Sequence, residues 1–205
     1  MEKRNEVFDI AKSLSIYLVV LGHLFTQAGQ CLTDNNSCVM LPIYCNIVHM
    51  PTFYFCSGYF LFKSQLSKSD NQILLNKIKT LIIPYLIWSS ISFVSNLGLL
   101  YLNKTLSLNS AMEEFYCIFI NSRSVWFLIQ LFFAFFVFIV CKKIANKLIL
   151  SAILVNVIAY VILCEILPLE IFSFVKFKWL YPFFLLGYII SMANKQNKLK
   201  ISNRQ

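Results

Sequence analysis

The stretch Lys12-Ser-Leu-Ser-Ile-Tyr-Leu-Val-Val-Leu-Gly-His23 carries a lysine and a histidine at the two ends of a largely apolar run. In an α-helix this spacing corresponds to about three turns and about 16 Å of rise, so both side chains leave the same helix face. A cation near the centre of a membrane helix costs about 3 kcal/mol on insertion scales, and such groups usually face a protein interior or a water-filled cavity. The run therefore predicts a membrane helix with proton or charge chemistry inside the membrane.

The composition also predicts a membrane protein. Of the 205 residues, 59% are hydrophobic and 13% are charged, and the mean hydropathy is +0.70. A soluble domain has roughly 45–50% apolar and about 25% charged residues. The net charge of +9 comes from short basic clusters between apolar runs, as expected for loops that face an anionic cytoplasmic leaflet. We therefore expect the lipid bilayer as a partner and exclude nucleic acid.

Apolar runs long enough to cross about 30 Å of hydrocarbon predict an all-α, polytopic bundle of about six transmembrane helices, in one domain over residues 1–205. The run 63–79 between the second and third spans is predicted to be a polar linker. The predicted spans are Leu14–Ala28, Ile43–Phe62, Leu81–Leu102, Val125–Cys141, Leu148–Leu167 and Trp179–Ala193.

The distribution of basic residues gives the bundle an orientation. Fourteen of the 18 lysines and arginines fall on one side of the six spans. The other side receives only Lys104, Arg123, Lys176 and Lys178. Short loops with many lysines and arginines stay in the cytoplasm. Both termini are therefore predicted to be cytoplasmic, and the chain is predicted to be a multi-pass protein of the plasma or inner membrane.

A second polar group lies in the second span, in the stretch 47–59. His49 is about 9 Å below the outer end of that span, and His23 is about 16 Å from the cytoplasmic end of the first. The only two histidines of the chain thus fall at comparable depths. Each could instead make a helix-packing hydrogen bond, but the matched depth favours a function. In the same span, Ser57-Gly58 predicts close helix packing.

The seven cysteines form no C-x-x-C pair and no metal-ligand cluster, so no metal is predicted. Cys31 and Cys38 both fall in the first external loop, Gly29–Leu41. An oxidising compartment would allow a disulfide between them. A disulfide and two free thiols remain equally open.

Four stretches, taken in order, resemble motifs of the acyltransferase-3 family of bacterial integral-membrane acyltransferases. In the first, a basic residue, ten residues and a histidine match Lys12 and His23. The second is His49-Met50-Pro51, with Phe53, Phe55 and Ser57-Gly58-Tyr59, and the two weaker ones are Ile83-Pro84-Tyr85-Leu86 and Trp126-Phe127-Leu128. The matches span about two thirds of the chain, and the similarity points most to the fucose 4-O-acetylase-like branch.

The resemblance implies O-acyl transfer. The group is usually acetyl from cytoplasmic acetyl-CoA, and it goes to a hydroxyl of a cell-surface or exopolysaccharide glycan or of its lipid-linked precursor. The resemblance further implies that His23 is the catalytic histidine and that His49 helps to form the same cavity. It places Lys12 at a basic position that engages the acyl donor. Histidine suits the reaction because it is the usual base near neutral pH.

Four further residues receive weaker assignments. Arg4 and Asp9 match family positions and are candidates for binding the acyl donor. Alternatively, Arg4 and Asp9 are solvated charges at the membrane interface, and Asp9 pairs with Lys12, three residues further along the helix. Arg123 and Trp126 lie at the predicted outer edge and are candidates for contacting the glycan, although a snorkelling arginine and an interfacial tryptophan explain them as well.

Members of the resembled family are usually longer and have more membrane helices than the six predicted here. Three explanations stay open: a truncated gene product, a short form that completes itself as a homo-oligomer, or an inactive remnant. A function of another class, a small transporter or glycan-export subunit that uses the two histidines as a proton relay, is the alternative to catalysis.

Overall fold

The computed structural model describes residues 6–31, 36–122, 125–145, 149–166 and 174–202, and all regular structure in these ranges is helical. The chain is therefore the all-α membrane bundle that the sequence predicts. Its α-helices are α1 (Glu6–Cys31), α2 (Asn36–Gln65), α3 (Asp70–Lys77), α4 (Ile83–Leu102), α5 (Leu108–Phe115), α6 (Trp126–Ile144), α7 (Ile149–Ile166) and α8 (Phe174–Ser202). Two π-helical turns follow α3 and α5, at Ile78–Ile82 and Tyr116–Ile120.

Four helical stretches within the described ranges are long and apolar enough to cross a membrane. They are Glu6–Leu24, Asp70–Leu102, Trp126–Ile144 and Phe174–Lys195. These stretches match the predicted first, third, fourth and sixth spans. The predicted second span falls on α2, and the fifth falls on α7, whose apolar part is shorter. That these two helices also span the membrane stays a prediction.

The chain packs as two compact units. The first holds residues 1–63 and 182–205, and the second holds residues 64–181. The helix α8 contributes to both, because the boundary falls at Pro182 inside it. That the chain is a single domain, as the sequence predicts, stays a prediction.

In the second unit, α3 and α4 form one long helix. Ser69 begins it with a capping box, in which its hydroxyl accepts the N–H of Gln72 and its own N–H is accepted by the Gln72 side chain. The π turn between α3 and α4 comes just before Pro84, which has no N–H to continue the α-helical ladder. The N–H of Ile83 bonds instead to the carbonyl of Ile78, five residues back. The polar linker predicted for residues 63–79 is thus mostly helical and continuous with the third span.

The segment between the predicted third and fourth spans contains a short helix, α5. Ser107 caps it by accepting the N–H of Ser110. The segment folds back along α4, where Asn96 donates to Glu114 at 2.8 Å and the ring of Phe93 lies against Phe115. Glu114 is therefore a packed residue. A glutamate between two predicted spans is expected from the sequence to be a solvated loop charge. That expectation is wrong for Glu114, because the segment contains a capped helix that packs on α4.

The helix α6 packs along α3 and the first π turn. The ammonium of Lys142 lies 3.1 Å from both carboxylate oxygens of Asp70, and the ammonium of Lys77 lies 4.2 Å from the centre of the Phe135 ring. The charge distribution places residues 63–79 and Lys142 on the same side of the membrane. Their direct contact agrees with that prediction.

The helix α7 is joined to the first turns of α8 by hydrogen bonds between buried groups. The hydroxyl of Tyr181 donates to Asn156 at 2.6 Å, and the Asn156 amide donates to the carbonyl of Ala152 at 2.7 Å. Asn156 and Tyr181 are fully buried. A lone polar side chain inside an apolar span predicts an interhelical hydrogen bond, and that prediction is confirmed for Asn156.

In the first unit, α2 and α8 cross with their backbones in contact. A Cβ added at Gly58 would collide with the carbonyl oxygen of Phe184, and a Cβ added at Gly187 would collide with the carbonyl oxygen of Phe55. Each helix thus presents a glycine to the other, three residues away from the carbonyl that it presents. The close packing predicted from Ser57-Gly58 is confirmed.

Candidate functional site

The helix α1 presents one packed stripe and several exposed faces. Ser15 and Gly22, seven residues apart, are buried on it. Phe8, seven residues before Ser15, packs its ring 4.2 Å from the ring of Tyr59 on α2. The Ser15 hydroxyl is satisfied within the helix, because it donates to the carbonyl of Ala11 at 2.8 Å. Small residues in this stripe let the helix pack closely.

His23 lies next to this stripe and is exposed. Because α1 continues without a break from Glu6 to Cys31, the eleven-residue register places the backbone positions of Lys12 and His23 on one face. Ile16 and Val20 lie near that face and are also exposed, by 56% and 51%. The side chain of Lys12 is outside the described part of the chain, so its role stays a prediction.

His49 lies on α2 and is buried, with 2% of its surface exposed. Pro51 and Thr52 follow it in the helix, and the Thr52 hydroxyl donates to the carbonyl of Val48 at 2.7 Å. A hydrogen bond from a threonine hydroxyl to the carbonyl four residues earlier is common in membrane helices and often bends them. The two histidines thus occupy different environments, one buried and one open, and the cavity that they are predicted to share stays a prediction.

The candidate donor-binding residues near the amino terminus are only partly described. Arg4 lies outside the described residues. Asp9 is half-buried in the first turn of α1, where a carboxylate is stabilised by the positive end of the helix dipole. Their roles in binding the donor, and the pairing of Asp9 with Lys12, stay predictions.

In the second unit, Trp126 is the first residue of α6 and is half-buried. Arg123 lies outside the described residues. The ammonium of Lys176, from the first turn of α8, lies 3.8 Å from the centre of the Trp126 ring. Sequence reasoning assigned Trp126 and Lys176 to the same side of the membrane. It did not predict their contact, because residues fifty positions apart carry no shared periodic signal.

A buried hydrogen-bonded pair ties the end of the segment after α5 to α4. The hydroxyl of Tyr85 donates to the carbonyl of Phe119 at 2.8 Å and lies 2.9 Å from the hydroxyl of Ser122. Since the tyrosine proton is used on Phe119, Ser122 donates to the phenol oxygen. Ser122 has a φ of 54°, in the left-handed region. Tyr85 belongs to the third family-like stretch, so this pair ties that stretch to the segment that follows α5.

The described residues contain no group of three or more His, Cys, Asp or Glu that could hold a metal ion. Among the described cysteine side chains, those of Cys56, Cys117, Cys141 and Cys164 form no disulfide. The side chains of Cys31 and Cys38 lie outside the described residues, so their pairing stays open.

Comparison with known proteins assigns the chain to a family. A family model of the acyltransferase-3 type, described as an acyltransferase domain, matches residues 5–205. The match includes both histidines and every candidate site residue except Arg4.

Two curated relatives are nodulation proteins named NolL. The protein from Mesorhizobium japonicum is 28% identical over 196 residues, which cover 92% of this chain and 48% of the relative. The protein from Sinorhizobium fredii is 28% identical over 196 residues, which cover 93% of this chain and 50% of the relative. The chain therefore spans about half the length of the curated relatives it matches. No solved structure shows significant similarity.

Proposed function

We propose, from the premise that the chain belongs to the acyltransferase-3 family, that it takes part in O-acyl transfer at the membrane. The observation that carries the proposal is the match over residues 5–205, within which a helix holds the Lys12–His23 spacing intact. The acyl group is acetyl from cytoplasmic acetyl-CoA. The acceptor is a hydroxyl of a cell-surface glycan or of its lipid-linked precursor, and the chain acts as a multi-pass protein of the cell membrane.

His23 is the proposed general base. A sugar hydroxyl is a poor nucleophile until a base removes its proton during the attack. The hydroxyl oxygen then bonds to the acyl carbon and the thioester C–S bond breaks. Coenzyme A takes the proton from His23 and leaves as the thiol. The exposed position of His23 suits this role, because a base must reach its substrate. Direct attack and an acyl-histidine intermediate both remain compatible with these residues.

Lys12 and His49 have supporting roles in the proposal. Lys12, about 16 Å from His23 along α1, would meet a phosphate of acetyl-CoA as a point charge on the cytoplasmic side. His49, held rigidly by its burial in α2, would help to form the cavity in which the acyl group is passed on. Arg4 and Asp9 would assist at the donor end, and Arg123 and Trp126 at the acceptor end.

Labelled acetyl transfer tests the proposal. Membranes that contain the full chain are given acetyl-CoA with a radiolabelled acetyl group, and label is counted in the glycan and lipid-linked sugar fractions. A positioned general base contributes about a hundredfold to ten-thousandfold in rate, so His23→Ala should lower the transfer by at least about a hundredfold. Lys12→Ala should instead raise the KM for acetyl-CoA.

The matched control is Leu24→Ala. Leu24 is the next residue on α1 and is 56% exposed, so its truncation should leave transfer and membrane insertion unchanged. Full transfer by His23→Ala would overturn the catalytic assignment. Absence of transfer by the wild-type chain, at normal membrane levels, would overturn the enzymatic proposal and favour an inactive or transport protein.

A further inference from the structure

Lys176 is held in a position that its own helix does not explain. It lies in the first turn of α8, where a positive charge is unfavourable because the helix dipole is positive there. Among the described residues, no carboxylate forms an ion pair with it. Within the same part of the chain, its ammonium contacts the Trp126 ring, with 3.8 Å between the nitrogen and the ring centre. A cation–π contact at a half-exposed site is weak, and ordering a long flexible side chain costs entropy that opposes it.

Trp126 is the first residue of α6 and is half-buried. The Lys176 ammonium therefore lies over one face of an indole at the start of a helix. A sugar ring could stack only on the opposite face, because Lys176 occupies this one. Binding sites are commonly built from such preorganised groups.

Lys176 and Trp126 lie in the first turns of two apolar helices, α8 and α6. Phe174 and Phe177, on the same first turn of α8, are buried and pack ring against ring at 5.0 Å. Tryptophan and lysine at the end of an apolar helix are typical of the membrane–water interface. The phosphates of a lipid-linked sugar lie at that level, whereas the charges of a polymer in solution do not.

We propose that Lys176 and Trp126 form a phosphate-binding subsite for a lipid-linked acceptor, in which the ammonium binds the phosphate and the indole positions the attached sugar. The subsite rests on the proposed function for its role in acyl transfer. The subsite favours the lipid-linked precursor over the cell-surface glycan as the acceptor. A compact ammonium suits this ligand because it binds phosphate as a point charge.

Fluorescence of a single tryptophan measures the binding without any acyl transfer. In the full chain carrying Trp88→Phe and Trp179→Phe, Trp126 is the only one of three tryptophans left. The protein is placed in phosphatidylcholine nanodiscs and titrated with an isoprenyl diphosphate. We expect a saturable change in Trp126 emission. Loss of a charged hydrogen bond should weaken this binding by about tenfold or more in Lys176→Gln.

Lys178→Gln is the matched control. It removes the same charge two residues further along α8, and Lys178 has no ring partner among the described residues, so the titration should be unchanged. Equal weakening by both variants would overturn the subsite in favour of general electrostatic attraction. An emission change caused by phosphatidylglycerol nanodiscs alone, with no response to the isoprenyl diphosphate, would overturn it in favour of a membrane lipid headgroup.

Acylation of a lipid-linked sugar provides the second measurement. Lys176→Gln should raise the KM for that acceptor about tenfold and leave kcat unchanged. Binding of the diphosphate without any wild-type acylation would contradict the proposed function alone. Wild-type acylation with an unchanged KM in Lys176→Gln would contradict the subsite alone.

Discussion

The backbone of Ser122 combines a left-handed conformation with a buried hydroxyl. A left-handed φ costs a residue other than glycine about 1–2 kcal/mol, so something must stabilise it here. The hydrogen bond to Tyr85, between two buried groups, supplies that stabilisation. The turn is therefore a balance between local strain and one contact with a residue 37 positions away.

The balance can be measured with three substitutions. Ser122→Ala loses the hydroxyl and keeps the strain, whereas Ser122→Gly loses the hydroxyl and removes the strain. We expect Ser122→Ala to lower the free energy of unfolding by about 1–2 kcal/mol and Ser122→Gly to lower it by less. Tyr85→Phe should lower it by more than Ser122→Ala, because it also removes the hydrogen bond to the Phe119 carbonyl. Denaturant unfolding in detergent micelles gives the three values.

The double variant and an exposed tyrosine serve as controls. Tyr85→Phe combined with Ser122→Ala should destabilise less than the two losses added together, because both substitutions remove the same hydrogen bond. Tyr101→Phe, at a site on the same α4 helix that is 71% exposed, should change nothing. Two results would contradict this account of the turn. One is a double variant whose loss of unfolding free energy equals the sum of the two single losses, and the other is a Ser122→Gly variant less stable than Ser122→Ala.

At the scale of elements, the crossing of α2 and α8 depends on two glycines. The atoms that oppose Gly58 and Gly187 are backbone atoms, which cannot turn aside as a flexible side chain can. Overpacking of a close contact typically costs about 1–3 kcal/mol. We expect Gly58→Ala and Gly187→Ala each to lower the melting temperature of the solubilised protein clearly.

Gly98 on α4 is the matched control for the two glycines. A Cβ added there meets nothing within 4 Å. Alanine is preferred over glycine in a helix by about 1 kcal/mol, so Gly98→Ala should leave the melting temperature unchanged or raise it slightly. A drop as large for Gly98→Ala as for Gly58→Ala would show that helix packing is not the cause.

These elements also show what the sequence could predict. Gly58 was predictable as a packing residue because a small residue inside an apolar helix allows close approach, but its partner Phe184 was not, since no local pattern names the opposing helix. The helices α4 and α6 were predictable because each contains an apolar run long enough to cross a membrane. The helix α5 was missed, although Ser107 and the spacing of its apolar residues carry the signal, because its two glutamates resemble a solvated loop.

The candidate site was predictable to a smaller extent. The eleven-residue spacing is sufficient to place Lys12 and His23 on one helix face, because helical geometry is local. The burial of His49 and the exposure of His23 depend on which helix faces which, and a single sequence carries no such information. The contact of Lys176 with Trp126 was unpredictable for the same reason.

At the scale of the whole molecule, the orientation in the membrane is the property on which the donor and acceptor sides depend. The positive-inside bias predicts that the segment before α3 is cytoplasmic and that the turn after α4 is external. Ser67 and Asn103 lie in these two places and are both exposed. In the chain with all seven native cysteines replaced, each of the two positions can carry a single cysteine.

A membrane-impermeant maleimide then reads the orientation in intact cells. Asn103→Cys should react from outside, whereas Ser67→Cys should react only after the membrane is permeabilised, because lysine-rich segments such as 63–79 are retained in the cytoplasm. Complete labelling after solubilisation shows that equal amounts of both variants are inserted. The reverse pattern would place Lys12 on the outside, away from cytoplasmic acetyl-CoA. It would remove the donor role proposed for Lys12 even if His23 proved essential for transfer.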